Sequence, residues 1–66
     1  MAEFKDRLRG IRSEHRITQK QLASRVGVST KTIWNWENGI GYPVLSDAVI
    51  IADTFGCNLD QLAGRT

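Results

Sequence analysis

The stretch that decides the fold is residues 19–38, which read QKQLASRVGVSTKTIWNWEN. It contains two short amphipathic segments on either side of a single glycine. Leu22 and Val26 give the first segment an apolar edge, and Ile33 and Trp36 give one to the second. Because so few residues separate the segments, they must meet at a tight corner. We therefore predict two crossed helices, the second of which lies outside and is accessible to a partner.

The ends of these two helices are marked by capping residues. Thr18 and Gln21 have the spacing of a capping box, in which each side chain bonds the other residue's backbone N–H. Gly27 can end the first helix in a left-handed conformation without a Cβ clash. Ser29 is a favourable N-cap for the second helix. The pattern predicts a helix-turn-helix unit over about residues 18–38.

The rest of the chain shows the same helical spacing. Phe4, Leu8 and Ile11 recur as one face of a helix, and no stretch shows strand alternation or the composition of a linker. We predict an all-α fold, a compact five-helix bundle that forms a single domain over residues 1–66 and frays at its C-terminal end. Besides the helix that Thr18 caps, the predicted helices are about residues 3–15, 30–38, 44–55 and a short helix that Asn58 caps.

The fourth predicted helix is apolar around more than one face. Val44, Ile50 and Ile51 are apolar in addition to the stripe expected to face the core. They either pack against the first and fifth helices or form part of a dimer surface, since exposed apolar clusters often mark interfaces. The expected core stripe consists of Leu45, Ala48, Val49, Ala52 and Phe55.

The composition excludes several classes of protein. Cys57 is the single cysteine, so an internal disulfide is excluded, and no Cys/His set has the spacing of a zinc site. No apolar run approaches the roughly 18 residues of a membrane span. No nucleophile–base pair or phosphate-binding glycine loop is present. We therefore expect a cytoplasmic protein that is neither an enzyme nor a membrane protein and uses no metal or other cofactor.

The charges are distributed unevenly along the chain. Residues 1–33 contain eight Lys/Arg and three acidic residues, a net charge of +5, whereas residues 34–66 carry −3. Such an asymmetry suggests a surface for a polyanion, although solvated helix faces would account for it equally well.

Together these positions resemble one family, the Cro/phage-repressor (Xre-type) helix-turn-helix DNA-binding domains. The resemblance runs from Leu8 to about Ala63, and it includes Pro43, Leu45, Phe55, Gly56 and Leu62 in the second half. Its strongest part consists of Thr18, Gln19, Leu22, Ala23, residues 26–29, Ile33 and residues 36–39.

The resemblance implies that the third helix is a recognition helix that lies in the major groove of double-stranded DNA. The base-reading positions of the family match Thr30, Lys31 and Asn35. Lys31 can donate to guanine O6 or N7, and Asn35 can pair with adenine N6 and N7. Thr30 can offer its hydroxyl to a phosphate or base, or its methyl group to thymine.

The resemblance also implies contacts to the DNA backbone. Gln19 matches a position that touches the backbone and braces the third helix, and Asn38 matches a second backbone-contacting region. Lys20 and Tyr42 are additional candidates for phosphate contacts. Val44 stands where relatives often have a capping serine, which weakens the expectation of a phosphate contact there.

Four residues of the first and third helices are expected to be structural or have an open role. Glu37 matches a family position that pairs with an arginine of the first helix, here Arg12, and the pair would lock the two helices together. Trp36 occupies an apolar core position. Trp34 lies near the exposed face and could contact DNA, contact a protein partner, or shield the fourth helix.

The resulting functional hypothesis is a sequence-specific DNA-binding transcription regulator, a repressor that acts as a homodimer on DNA. The alternative is a protein-interaction module with the same fold, for example an antitoxin that binds a toxin. Trp34 and the additional apolar residues of the fourth helix favour the alternative slightly.

Overall fold

This computed structural model describes residues 3–64 of the chain. These residues form five helices joined by short connections. No strand occurs among these residues, so the predicted all-α five-helix fold is confirmed. Arg65 and Thr66, at the end expected to fray, lie outside the described residues. The helices are α1 (Phe4–Glu14), α2 (Gln19–Val26), α3 (Thr30–Glu37), α4 (Leu45–Phe55) and α5 (Leu59–Ala63).

The predicted caps define both ends of α2. Thr18 Oγ1 accepts from the Gln21 N–H at 3.0 Å, and Gln21 Oε1 accepts from the Thr18 N–H at 2.8 Å. At the other end Gly27 is left-handed, with φ 85°, and the Val28 N–H turns back to the Ala23 carbonyl at 3.0 Å. Both ends therefore satisfy backbone groups that the helix itself leaves unpaired.

One core holds the five helices together. α2 and α3 pack on each other, α1 packs on α3 and α5, and α4 packs on α2 and α5. Each helix contributes at least one fully or nearly buried side chain, so no helix could be removed without opening the core. The buried apolar residues are Leu8, Ile11, Leu22, Ala23, Val26, Ile33, Trp36, Ile51, Ala52, Phe55 and Leu62.

The predicted core stripe of α4 is partly wrong. Ile51 is fully buried, whereas Leu45 is 71% exposed and Val49 is 40% exposed. The sequence offers two overlapping stripes at helical spacing, and the helix is rotated so that α2 and α5 cover the one containing Ile51. Of the three additional apolar residues, only Ile51 packs inside, since Val44 and Ile50 are exposed.

α4 begins within one residue of its predicted start at about residue 44. Val44 is the N-cap, with extended backbone and no hydrogen bond from its side chain, and Pro43 precedes it outside the helix. Proline therefore stiffens the approach to α4 without forming its first turn. Among residues 3–64, no helix has both the length and the apolar character needed to cross a membrane.

Candidate nucleic-acid interface

The outward face of α3 carries the residues predicted to read bases. Thr30 and Lys31 are exposed at its first turn, and Asn35 is half-buried one turn later. Ile33 and Trp36 are buried on the opposite side of the helix. Ser29 caps the helix by accepting from the Thr32 N–H at 3.1 Å, so the first turn is firmly formed. The structure therefore brings the three predicted base-reading residues onto one accessible face.

Lys31 and Trp34 contact each other on this face. The Lys31 ammonium nitrogen lies 4.0 Å from the centroid of the Trp34 ring. Trp34 is 41% exposed, so its side chain is accessible beside the cation. This contact was not predicted from the sequence, although residues three apart on a helix are neighbours and their spacing could have indicated it.

Asn38 closes the C-terminal end of α3. Its side-chain amide donates to the Trp34 carbonyl at 2.8 Å, which engages one of its donors within the helix. Gly39 follows in a left-handed conformation, and the Ile40 N–H returns to the Asn35 carbonyl at 2.8 Å. The predicted backbone-contacting residue thus also has a structural role.

The start of α2 lies against the end of α3. Gln19 is half-buried, and its amide nitrogen donates to Glu37 Oε1 at 3.2 Å. The structure therefore shows Gln19 bracing α3. Lys20, the next residue, is exposed. The first backbone N–H groups of α2 have no intrahelical acceptor, and the helix dipole makes such an end favourable for an anion.

A buried ion pair joins α1 to α3. Arg12 Nε donates to Glu37 Oε2 at 2.6 Å and Arg12 Nη2 donates to Glu37 Oε1 at 3.0 Å. Only 1% of the Glu37 side chain and 19% of the Arg12 side chain are exposed. Arg12 Nη1 also donates to the Ile17 carbonyl at 2.8 Å, so the guanidinium fixes the connection after α1 as well.

The environment of this pair keeps Arg12 charged. The hydrogen bond to Glu37, aided by its negative charge, raises the pKa of Arg12 above its ordinary value, while burial opposes the shift. Because the pKa of Arg12 is higher in the folded state than in the unfolded state, protonation of Arg12 contributes fully to the stability of the fold below the unfolded-state pKa. That contribution is lost only as the pH rises through the folded-state pKa. The guanidinium is therefore charged at every pH near neutrality.

Tyr42 is exposed in the connection between α3 and α4. Its ring centroid is 5.8 Å from that of Phe4, at the beginning of α1. Tyr42 and Asn38 line the same small concavity together with Lys5. The structure thus brings Tyr42 near one predicted backbone-contacting residue, Asn38.

The ion pairs change the interpretation of the basic half of the chain. Within residues 3–64, Arg9 pairs with Asp6 at 3.0 Å, and Lys5 lies 3.9 Å from Glu3 and from Asp6. Together with Arg12, these residues account for much of the positive charge of α1. The described region shows no ion pair for Arg7 on α1, whose Nε donates to the Gln61 carbonyl, or for four further Lys/Arg residues, Arg16, Lys20, Arg25 and Lys31. Most of the positive charge available to a polyanion therefore lies on or next to the helix-turn-helix.

Comparison with known proteins gives consistent matches. A family model described as helix-turn-helix matches residues 8–62. The HTH-type transcriptional activator BcrR of Enterococcus faecalis is 37% identical over 60 residues, which cover 91% of this chain and 29% of that protein. The cryptic phage CTXphi transcriptional repressor RstR of Vibrio cholerae is 35% identical, over 96% of this chain and 56% of that protein. The chain thus spans between about a third and about half of the length of these relatives.

Two solved structures show the same fold in different settings. The P22 c2 repressor in complex with a synthetic operator superposes with a TM-score of 0.92 at 26% identity, over 100% of both chains. Hydroxypropylphosphonic acid epoxidase from S. wedmorenis matches with a TM-score of 0.83 at 30% identity, over 91% of this chain and 32% of that enzyme. The match to the family model spans most of the sequence, and the chain belongs to the helix-turn-helix family, in the Cro/phage-repressor (Xre-type) group whose motif it carries.

Proposed function

We propose that this chain is a sequence-specific double-stranded DNA-binding transcription regulator and that α3 enters the major groove. The observation that carries the proposal is the outward face of α3, which presents Lys31 and Asn35 from a helix that the buried Arg12–Glu37 pair holds in place. Lysine and asparagine are among the side chains that discriminate base edges in the major groove. A rigid support suits this task, because base contacts require fixed geometry.

The contacts to phosphate would come from the residues around this face. Lys20 is an exposed cation at the N-terminal end of α2, next to backbone N–H groups that favour an anion. Gln19, Asn38, Tyr42 and Thr30 are the other candidates. Contacts of this kind set the position of the protein on the duplex, whereas base contacts set the sequence.

We further propose that the chain acts as a homodimeric repressor on DNA in the cytoplasm and has no catalytic role. A single recognition helix reads only a few base pairs, so two half-sites would raise specificity. The resemblance to the P22 c2 and RstR repressors supports repression, although BcrR, another relative, is named as an activator.

The test begins with selection of binding sites from a random DNA pool. Lys31→Ala and Asn35→Ala should each weaken binding to the selected site by about five- to 150-fold, since a good base contact discriminates by about 1–3 kcal/mol. Each variant should bind random duplex almost as well as the wild type. Equal losses on both duplexes would contradict base reading. Titrations at matched salt provide the measurement.

Lys20→Ala serves as the matched control in the same titrations. It removes a cation whose proposed partner is a phosphate, so it should weaken binding to both duplexes alike and lower the salt slope by about one. If the selection enriches no sequence at all, the proposed function is wrong.

A protein-interaction module remains a second candidate function. The observation that favours it is a group of exposed apolar side chains around the start of α4 that the proposed DNA contacts do not use. They include Ile40, Val44 and Leu45. A toxin or other protein bound there would give a stable complex in the absence of DNA. Such a complex, combined with a failed selection, would favour this candidate.

A further inference from the structure

The contact between Lys31 and Trp34 is a feature of α3 that base reading by Lys31 alone does not explain. Lysine has a long flexible stem, and an exposed lysine would ordinarily sample many rotamers. Here its ammonium lies 4.0 Å from the centroid of an indole ring on the same helix. The ring is partly exposed, so it is available as a surface for the cation.

The helix geometry explains why the two side chains meet. Residues three apart are separated by roughly 60° around an α-helix and by about 4.5 Å along its axis. Trp34 therefore stands at the edge of the outward face, between Lys31 and the buried side that contains Ile33 and Glu37. The Asn38 amide donates to the Trp34 carbonyl, which fixes the backbone at this position.

We propose that Trp34 is a specificity-determining positioning residue that holds the Lys31 ammonium at one edge of the recognition face. This inference rests on the proposed function and deepens it. Stacking restricts the lysine before DNA is bound, so less conformational freedom is lost when the ammonium meets a base acceptor. This gain in affinity applies only to duplexes that place a base acceptor at that edge of the recognition face. A lysine that contacts a phosphate in any sequence would not gain affinity for one sequence over another.

The first experiment examines the free protein by NMR. Ring current from Trp34 should displace the Lys31 Hε resonances upfield of those of Lys20, which is exposed at the start of α2. Trp34→Leu should abolish the displacement and Trp34→Phe should retain part of it. Equal shifts for Lys31 and Lys20 in the wild type would overturn the proposal.

The second experiment measures discrimination, the ratio of affinities for the selected site and random duplex. Trp34→Leu keeps an apolar side chain but removes the ring, and it should lower this ratio about two- to five-fold, the range of an exposed cation–π contact. Trp34→Phe should recover part of the loss. An unchanged ratio, or equal losses on both duplexes, would overturn the positioning role.

A double-mutant cycle separates positioning from direct contact with DNA by the tryptophan. In a Lys31→Met background, Trp34→Leu should have no further effect on the ratio, because nothing remains to be positioned. A full additional loss in that background would show that Trp34 reads DNA itself and would overturn the inference. If wild-type protein selects no preferred sequence, the proposed function fails. If it selects a site and Trp34→Leu has the same ratio of affinities for that site and random duplex as the wild type, only this inference is contradicted.

Discussion

At the scale of single residues, the Arg12–Glu37 pair determines how α3 is held. Glu37 follows the buried Trp36 in sequence, and a carboxylate at a 1% exposed position would be strongly unfavourable alone. Two hydrogen bonds from Arg12 and one from Gln19 compensate the cost of burying the Glu37 carboxylate. The carboxylate thus connects α1, α2 and α3 at one point.

The two partners of this pair should respond differently to mutation. Arg12→Met leaves the buried Glu37 charge with Gln19 as its remaining side-chain donor, and we expect a loss of about 3–5 kcal/mol in the free energy of unfolding. Glu37→Gln keeps an acceptor for Arg12, whose guanidinium retains some contact with water, so about 1–3 kcal/mol should be lost. Urea unfolding followed by circular dichroism measures both values.

The double variant Arg12→Met, Glu37→Met is the control for this comparison. It removes both charges together, and an apolar pair of similar volume often replaces a buried ion pair at little cost. We expect it to be more stable than Arg12→Met alone. If it is less stable, lost packing rather than an unpaired charge explains the single variant.

Residue-scale features differ in how far the sequence predicts them. Only the family resemblance predicted that Arg12 and Glu37 are partners. The two positions are 25 residues apart, and helical spacing alone could not connect them. The contact between Lys31 and Trp34 is local, and helical spacing allows it to be foreseen. Whether an indole at this position faces a cation, DNA or α4 depends on a rotamer, which the residue type leaves open.

At the scale of helices, two glycines differ in the backbone conformation that a substituted side chain would have to adopt. Gly10 lies within α1 and Gly27 ends α2, and a Cβ atom added at either position would meet nothing within 4 Å. They differ in backbone conformation, because Gly27 has φ 85°. Space is thus available at both sites, and conformation alone distinguishes them.

Alanine at these two glycines should therefore change stability in opposite directions. Gly10→Ala should stabilise the protein by about 0.5–1 kcal/mol, since alanine is the better helix former and restricts the unfolded chain. Gly27→Ala should destabilise it by about 1–2 kcal/mol, the cost of a left-handed L-residue. Thermal unfolding of each variant gives the comparison.

Each glycine variant serves as the control for the other, since both add one methyl group in open space. Binding to the selected DNA site should not change in Gly10→Ala, which lies outside the proposed interface. A destabilising Gly10→Ala would indicate that α1 requires a flexible residue at this point, contrary to the expectation from propensity.

The sequence predicts the helices better than it predicts their faces. The caps Thr18, Ser29 and Asn58 and the left-handed Gly27 placed helix ends to within about a residue, because capping depends on local chemistry. The core stripe of α4 was partly wrong because the helix is apolar around several faces. Its rotation is decided by α2 and α5, whose positions the local pattern does not contain.

At the scale of the whole molecule, the surface divides into a polar face around α2 and α3 and an apolar one around the start of α4 and α5. A groove of about 430 Å³ in the latter is lined by residues from several segments, including Phe4, Tyr42, Leu45, Leu59 and Ala63. Leu45, which the predicted stripe placed in the core, is exposed on this side. If the proposed homodimer forms, this apolar surface is the one we expect it to bury.

Replacing Leu45 should therefore weaken binding to paired half-sites. Leu45 is 71% exposed, and Leu45→Gln removes apolar area without adding charge, so the fold should keep its stability. We expect the affinity for a site with two half-sites to fall by roughly three- to ten-fold, corresponding to about 0.7–1.4 kcal/mol of lost apolar contact. Affinity for a single half-site should stay unchanged. Titrations of both duplexes measure the difference.

Ile50→Gln is the matched variant, since Ile50 is an exposed aliphatic residue of the same helix that does not line the groove. Ile50 is only 38% exposed, so its thermal unfolding is measured beside its DNA affinity. It should leave the preference for paired half-sites intact, because its side chain lies on another face of α4. Equal effects of the two variants would contradict a dimer surface at the groove, and the dimer would then have to use another face of the molecule.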